Sequence, residues 1–255
     1  MTDSIPIKSV AVTFDLIERI VELGGAGASQ LASDFDMPVS TVHSHLQTLE
    51  TIGYLSSENG CYHVTSRFLR IGKKSQLEKE IYVKSRDTLA QLAENTGEYI
   101  SLMVEEGGLG VNLHFERGEK ASRVKISQTY PGVHTKLHTS ATGKAILAEL
   151  PESRVRAILD EHGMESRTER TITSPTELFD ELAEIGARGY AIDDEERMEG
   201  MRGVAAPVSS SRERMHGSIG LYGPTNRLTD QLFYEEYPQQ ILEAANVIQV
   251  SLNYS

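Results

Sequence analysis

The sequence predicts an α+β chain: an N-terminal winged helix-turn-helix block, a linker helix, and a larger α+β domain. Three observations predict it. Residues 9–53 hold three apolar-periodic stretches broken by glycine or proline, which reads as three short helices. Glu58-Asn59-Gly60 follows between two short β-type runs, and Asn-Gly is the strongest short hairpin signal. Beyond Gly97, strand-like runs and helical stretches share the chain, with capping and turn signals between them. The expected boundaries are 1–72 for the winged block, 73–83 for the linker and 84–255 for the larger domain.

The first helix spans 9–23, with Val10, Phe14, Ile17 and Val21 at spacings that share one face. Gly24, Gly25 and Gly27 end it. They follow a helix, and no Lys-Ser/Thr comes after them, so they are a loop and not a phosphate cradle. The second helix takes Ser29 as N-cap and Leu31, Ala32 and Phe35 as its apolar face. Asp36-Met37-Pro38 is a turn, and Ser40 caps the third helix, which runs to Gly53. There Val42, Leu46 and Leu49 point inward, while Ser40, Ser44, Gln47 and Thr48 point outward. Tyr54-Leu55 and Tyr62-His63-Val64 are the arms of the hairpin.

Residues 73–95 read as one polar helix ended by Gly97. Strands are expected at 99–105, 110–116 and 122–128, a helix at 142–150, and another from Pro151. Ser174-Pro175-Thr176-Glu177 is a capping box with proline at the first helical position, opening a helix to Arg188. Strands at 189–193, 203–209 and 217–222 precede a final helix over 235–253.

Composition narrows the function. Of 255 residues 39% are hydrophobic and 24% charged, which suits a folded core and excludes a disordered chain. No apolar run reaches the ~18–20 residues that span a bilayer. MTDSIPIKSV lacks a basic segment followed by an apolar one, so a cytoplasmic protein without membrane contact is expected. Cys61 is the single cysteine, which excludes an intramolecular disulfide and a cysteine zinc cage. The net charge is −12, and the first 75 residues carry 6 Lys and Arg against 8 Asp and Glu. Bulk attraction to nucleic acid is therefore excluded.

Helix, helix, turn, helix and hairpin point instead to sequence reading in the major groove. A small residue, Ala32, admits the third helix, and Val42 anchors it. The outward face, Ser40, Thr41, Ser44, Gln47 and Thr48, can hydrogen-bond base edges. Ser29, the wing tip at Asn59, and Arg67 and Arg70 beyond it are candidate backbone contacts. The same block could serve as a protein-interaction module.

At these residues the chain resembles IclR-type transcriptional regulators. KSVAVTFDLIERI and LASDFDMPVSTVHSHLQTLETIGYL look like their winged-helix domain. LHTSATGKAILAELP, GYAIDDEERMEGMRGVAAPV and GSIGLYGPTNRL look like their effector-domain signatures, in the family's order. The resemblance runs from about Lys8 to Leu252. It implies a sequence-specific repressor or activator of operator DNA, with a GAF-like C-terminal domain that binds a small metabolite. It also implies homodimers through the N-terminal domains, and tetramers through the C-terminal ones.

The resemblance further implies a pocket. Thr142 and Gly143 open a helix whose first N–H groups suit an anion. Asp193 matches the family's acidic pocket residue, and Leu137 is an apolar wall. Gly203, Gly220 and Tyr222 match lining positions, where some acid-binding relatives carry a cysteine and two serines. Two glycines and a tyrosine there suggest a larger ligand, such as a sugar, a sugar acid or an aromatic acid. Relatives commonly carry a basic residue where Ser44 stands, and often another near Val39; here both are uncharged. With 9 Lys against 16 Arg and the acidic total, this fits a salt-rich cytoplasm, as in a halophilic archaeon.

No nucleophile elbow, zinc-protease motif or catalytic carboxylate pair occurs, so no enzyme and no cofactor are expected. His43 and His45 are two apart on a helix and do not share a face. His134 and His138 could, but no carboxylate stands at ligand spacing. Asp193-Asp194-Glu195-Glu196 reads either as part of the site or as a solvated acidic turn, the latter applying to Glu195 and Glu196 more than to Asp193. The alternative to a DNA-binding regulator is a metabolite-sensing interaction protein.

Overall fold

The computed structural model describes residues 5–121, 131–210 and 215–254. The chain divides after Ser75 into two compact units. The first holds α1 (Lys8–Leu23), β1 (Ala26–Gly27), α2 (Ala28–Asp34), α3 (Val39–Thr51), β2 (Leu55–Glu58) and β3 (Cys61–Val64). α4 (Arg67–Glu78) carries the division. Leu16, Ile17, Ile20, Leu31, Val42, Leu46, Leu49, Leu55 and Tyr62 form the core of this unit. Ala32 is buried with them, as the close approach of α2 and α3 requires.

α1 departs from the expected face. Of Val10, Phe14, Ile17 and Val21, only Ile17 is buried; Leu16 and Ile20 take the inner positions. α1 is apolar on two sides, so periodicity alone selected the wrong stripe. The N-caps also shift. Gly27 precedes α2 and Pro38 precedes α3, which leaves Ser29 and Ser40 inside their first turns. Pro38 fixes φ at −58° and takes an extended ψ of 132°, so the helix starts directly after it. In the hairpin, Asn59 and Gly60 have φ of 51° and 79°, the signature of the tight two-residue turn that joins twisted strands.

The helix expected over 73–95 is two helices. Lys79, with ψ of 110°, separates α4 from α5 (Glu80–Thr96). There follow β4 (Tyr99–Glu106), β5 (Leu109–Arg117), β6 (His134–Lys136), α6 (Ala141–Ala148), α7 (Glu152–His162) and α8 (Pro175–Arg188). β7 (Ala191–Asp194), β8 (Met201–Ser210), β9 (Met215–Pro224) and α9 (Tyr237–Tyr254) complete the unit. The strand expected at 122–128 lies outside the described residues. Ser174 does precede α8, but its hydroxyl makes no capping bond, and its carbonyl accepts the Leu178 N–H instead. Pro238 is the second residue of α9 and directly follows a π-helical turn over Leu232–Glu236, which widens the helix where the proline has no N–H to give.

The described strands form an antiparallel sheet of order β6-β5-β4-β9-β8-β7. Its side chains alternate between faces. Ile100, Leu102, Val204, Val208, Ile219 and Leu221 pack with α5 and α9. Met103, Ala205 and Tyr222 face α6, α7 and α8 on the other side.

Candidate DNA face and effector site

On α3, Ser40, Thr41, Ser44, Gln47 and Thr48 are all exposed, opposite buried Val42, Leu46 and Leu49. Ser44 Oγ donates to the Ser40 carbonyl at 2.9 Å, and Thr48 Oγ1 to the Ser44 carbonyl at 2.7 Å. With those donors turned to the backbone, the hydroxyl lone pairs face outward and can accept from base amino groups. An open groove beside this face is lined by Ser9, Val10 and Thr13 of α1, and Thr13 Oγ1 lies 2.7 Å from His45 Nδ1.

The expected backbone contacts are less uniform. Ser29 is exposed on α2, Asn59 is exposed at the wing tip, and Arg70 is exposed on α4. Arg67 is engaged: its Nη1 donates to the Ile52 carbonyl at 2.6 Å, closing the C-terminus of α3. Its guanidinium also sits 5.8 Å from the Tyr54 ring centroid.

In the second unit, strand register assembles the expected pocket residues. Asp193, Gly203, Tyr222 and Tyr99 lie opposite one another across β7, β8, β9 and β4. Ala191, Ala205, Gly220 and Ser101 form the next row. Both rows face α6, whose start is held over the sheet: Ser218 Oγ donates to the Thr142 carbonyl at 2.9 Å.

The free anion seat expected at the α6 N-terminus is already engaged. Ser140 Oγ accepts the Gly143 N–H at 3.2 Å as a side-chain cap. Tyr222 Oη accepts the Thr142 N–H at 3.1 Å and lies 3.0 Å from Thr142 Oγ1. Gly143 does not face the pocket, because a Cβ there would meet the Leu137 carbonyl oxygen at 1.9 Å. Leu137 is buried beside Met103 and Gly110 in the same core. The two glycines leave less room than expected. A Cβ on Gly203 would lie 2.2 Å from the Tyr222 ring, and one on Gly220 would lie 2.8 Å from it.

Asp193 is 2% exposed. Burial, and then the neighbouring Glu196, push its carboxyl up to about 7. Its Oδ1 accepts the backbone N–H of Glu196 at 2.8 Å and of Arg197 at 3.2 Å. Burial, and then Asp193, push the Tyr222 hydroxyl up to about 12, so it stays neutral.

Three features escaped sequence reasoning. Glu196 is buried, not solvated, and pairs at 2.6 Å with Lys144, itself 1% exposed. Lys144 also reaches Glu181 of α8 at 3.4 Å. Ser101 Oγ and Glu196 Oε2 are buried without a hydrogen-bond partner among the described residues. An acidic run beside a distant lysine gave the sequence no signal for that pair. Among the described residues there is no cluster of metal-ligating side chains, and no helix is long and apolar enough to cross a membrane.

A three-helix block with a hairpin wing, followed by an antiparallel sheet with a polar, helix-roofed site, defines a ligand-responsive winged-helix DNA-binding protein. Comparison makes this specific. Residues 9–58 match the IclR helix-turn-helix domain, and residues 75–250 match the C-terminal domain of bacterial IclR transcriptional regulators. The chain belongs to the IclR family. It is 31% identical over 247 residues to the probable HTH-type transcriptional regulator ArcR of Halobacterium salinarum, covering 96% of this chain and 94% of that one. It is 28% identical over 251 residues to the transcriptional repressor IclR of Escherichia coli, covering 97% and 90%. Its fold matches the crystal structure of the Thermotoga maritima IclR with a TM-score of 0.79 at 27% identity, covering 97% and 99%. The protein is accordingly a DNA-binding transcriptional regulator that responds to a small-molecule effector through its C-terminal domain, and not an enzyme.

Proposed function

We propose that residues 1–72 read the operator, that 73–83 link, and that 84–255 bind the effector and oligomerise. The observation that carries the DNA-reading part is the exposed, uncharged α3 face of Ser40, Thr41, Ser44, Gln47 and Thr48. Asn59, Ser29 and Arg70 supply backbone contacts, and Arg67 fixes the end of α3. The effector sits among Thr142, Asp193, Gly203, Gly220 and Tyr222, with Leu137 in the wall behind.

The working form is a homodimer in the cytoplasm, associating further to a tetramer. Supporting the dimer, the first unit leaves Val10, Phe14 and Val21 of α1 exposed, and Leu69, at 73%, is exposed on α4. Exposed apolar side chains of this size favour burial against another surface. The acidic total and the similarity to a Halobacterium protein support a haloarchaeal origin.

Fluorescence anisotropy with the DNA upstream of the coding region tests the reading, against a scrambled competitor from about 0.2 to about 2 M KCl. Ser44→Glu places a like charge against the phosphates and should weaken binding by about 100-fold or more. Equal binding by both proteins to a sequence selected from a random pool would refute the α3 assignment. Failure of any DNA to bind specifically would favour a sensor that acts without DNA.

A further inference from the structure

The α6 N-terminus carries a polar seat that already has an occupant from the chain itself. The Thr142 N–H, one of the helix donors that lack an intrahelical acceptor, points to Tyr222 Oη at 3.1 Å. The Tyr222 ring fills the space above Gly203 and shares the space above Gly220 with the Thr142 methyl group. Beside the same spot, Ser101 Oγ is buried without a partner among the described residues, 3.3 Å from where a Gly220 Cβ would stand. A buried hydroxyl with nothing to bond is costly unless something bonds it at times. The seat thus offers a helix N–H and two hydroxyls, and a phenol closes it.

We infer that Tyr222 is the specificity-determining residue of the effector site: it occupies the seat from within and excludes two- and three-carbon carboxylates. The inference rests on the proposed effector site and adds what that site rejects. The Thr142 N–H lies at the positive end of a helix, where a carboxylate is favoured. A small acid can take it only by removing the tyrosine oxygen, and it is too small to replace the buried ring. The wild-type chain therefore keeps Tyr222 in place and leaves such acids in water. Removing the ring reverses the balance, because a carboxylate then gains the N–H and the Ser101 hydroxyl at no cost in lost packing.

Isothermal titration calorimetry of the full-length protein with glyoxylate and with pyruvate tests this. Tyr222→Ser and Tyr222→Val should bind at least one acid about tenfold or more tighter than wild type, whereas Tyr222→Phe, which keeps the ring, should not. Tyr222→Val suits a strand and carries the test if the serine variant does not fold. Adding Ser101→Ala to the competent variant should weaken binding again, which locates the acid. Wild type binding either acid as tightly as the truncated variants would overturn the inference. So would truncated variants that fold and bind neither acid, or binding unchanged by Ser101→Ala. No DNA enters the experiment, so its failure is distinct from failure of the α3 assignment.

Discussion

Asp193→Asn should stabilise the protein, and the gain should grow with pH. The Asp193 carboxyl rises from an ordinary 3.8 to about 7, chiefly because burial disfavours its charge. That displacement corresponds to about 4 kcal/mol against the ionised form. The unfolded chain releases this proton near pH 3.8, while the folded chain keeps it until about pH 7. Between those values the native state binds more protons, so stability falls as pH rises. The penalty is absent below the lower value and complete above the upper one. Asparagine cannot ionise, and its amide oxygen can still accept the Glu196 and Arg197 N–H groups. The variant's advantage should therefore increase by about 2–3 kcal/mol between about pH 5 and about pH 8. For a unit of this size that is roughly 4–12 °C in Tm. Differential scanning calorimetry of wild type and variant at the two pH values measures it. A gap that is flat or shrinks with pH, or a variant less stable at pH 8, would show that Asp193 is not held protonated by burial.

Lys144→Met should cost about 3–5 kcal/mol in urea unfolding, because it leaves buried Glu196 without its cation while Glu181 keeps Arg188; a loss below about 1 kcal/mol would mean that water solvates the pair. Arg67→Ala should lower the stability of the first unit by about 1 kcal/mol by freeing the Ile52 carbonyl, read as a shift in its urea midpoint. The dependence of operator affinity on salt should be shallow. Arg19 is paired with Asp34 and Glu22, Arg67 is engaged at Ile52, and the α3 face carries no cation. A log–log slope no steeper than about −7 for a dimer is expected, and a slope near −10 would reveal phosphate contacts from elsewhere.

What the sequence made legible was local. The α2–turn–α3 unit declared itself because Val42, Leu46 and Leu49 repeat on one face, and the hairpin because Asn-Gly permits only a few turns. α1 did not declare its buried face, because Val10, Phe14 and Val21 repeat as regularly as Leu16 and Ile20. Only tertiary packing separates the two stripes. The residues expected in the pocket came from family resemblance, and strand register explains why they share one side of the sheet. Their mutual contacts were not legible. Gly203 and Tyr222 are nineteen positions apart and meet because β8 and β9 pair them directly. Lys144 and Glu196 meet across α6 and the turn after β7, with no periodicity linking them.

The same contacts bound how an effector can act. Thr142 and Lys144 belong to one helix, α6. At its start Thr142 holds Tyr222, which lies over Gly203, the register partner of Asp193. Asp193 holds the Glu196 N–H, and the Glu196 carboxylate returns to α6 through Lys144. This is a closed circuit through three strands and one helix, and Lys144 extends it to Glu181 on α8. A ligand that binds without disturbing any member shifts nothing, however tightly it binds. One that turns Tyr222 aside breaks the circuit at Thr142 and changes what holds α6. Its regulatory reach is then limited to the difference between its affinities for the tyrosine-in and tyrosine-out arrangements, about 1.4 kcal/mol for each tenfold. An effector of this protein is thus defined less by how well it fits the site than by what it does to the tyrosine already there.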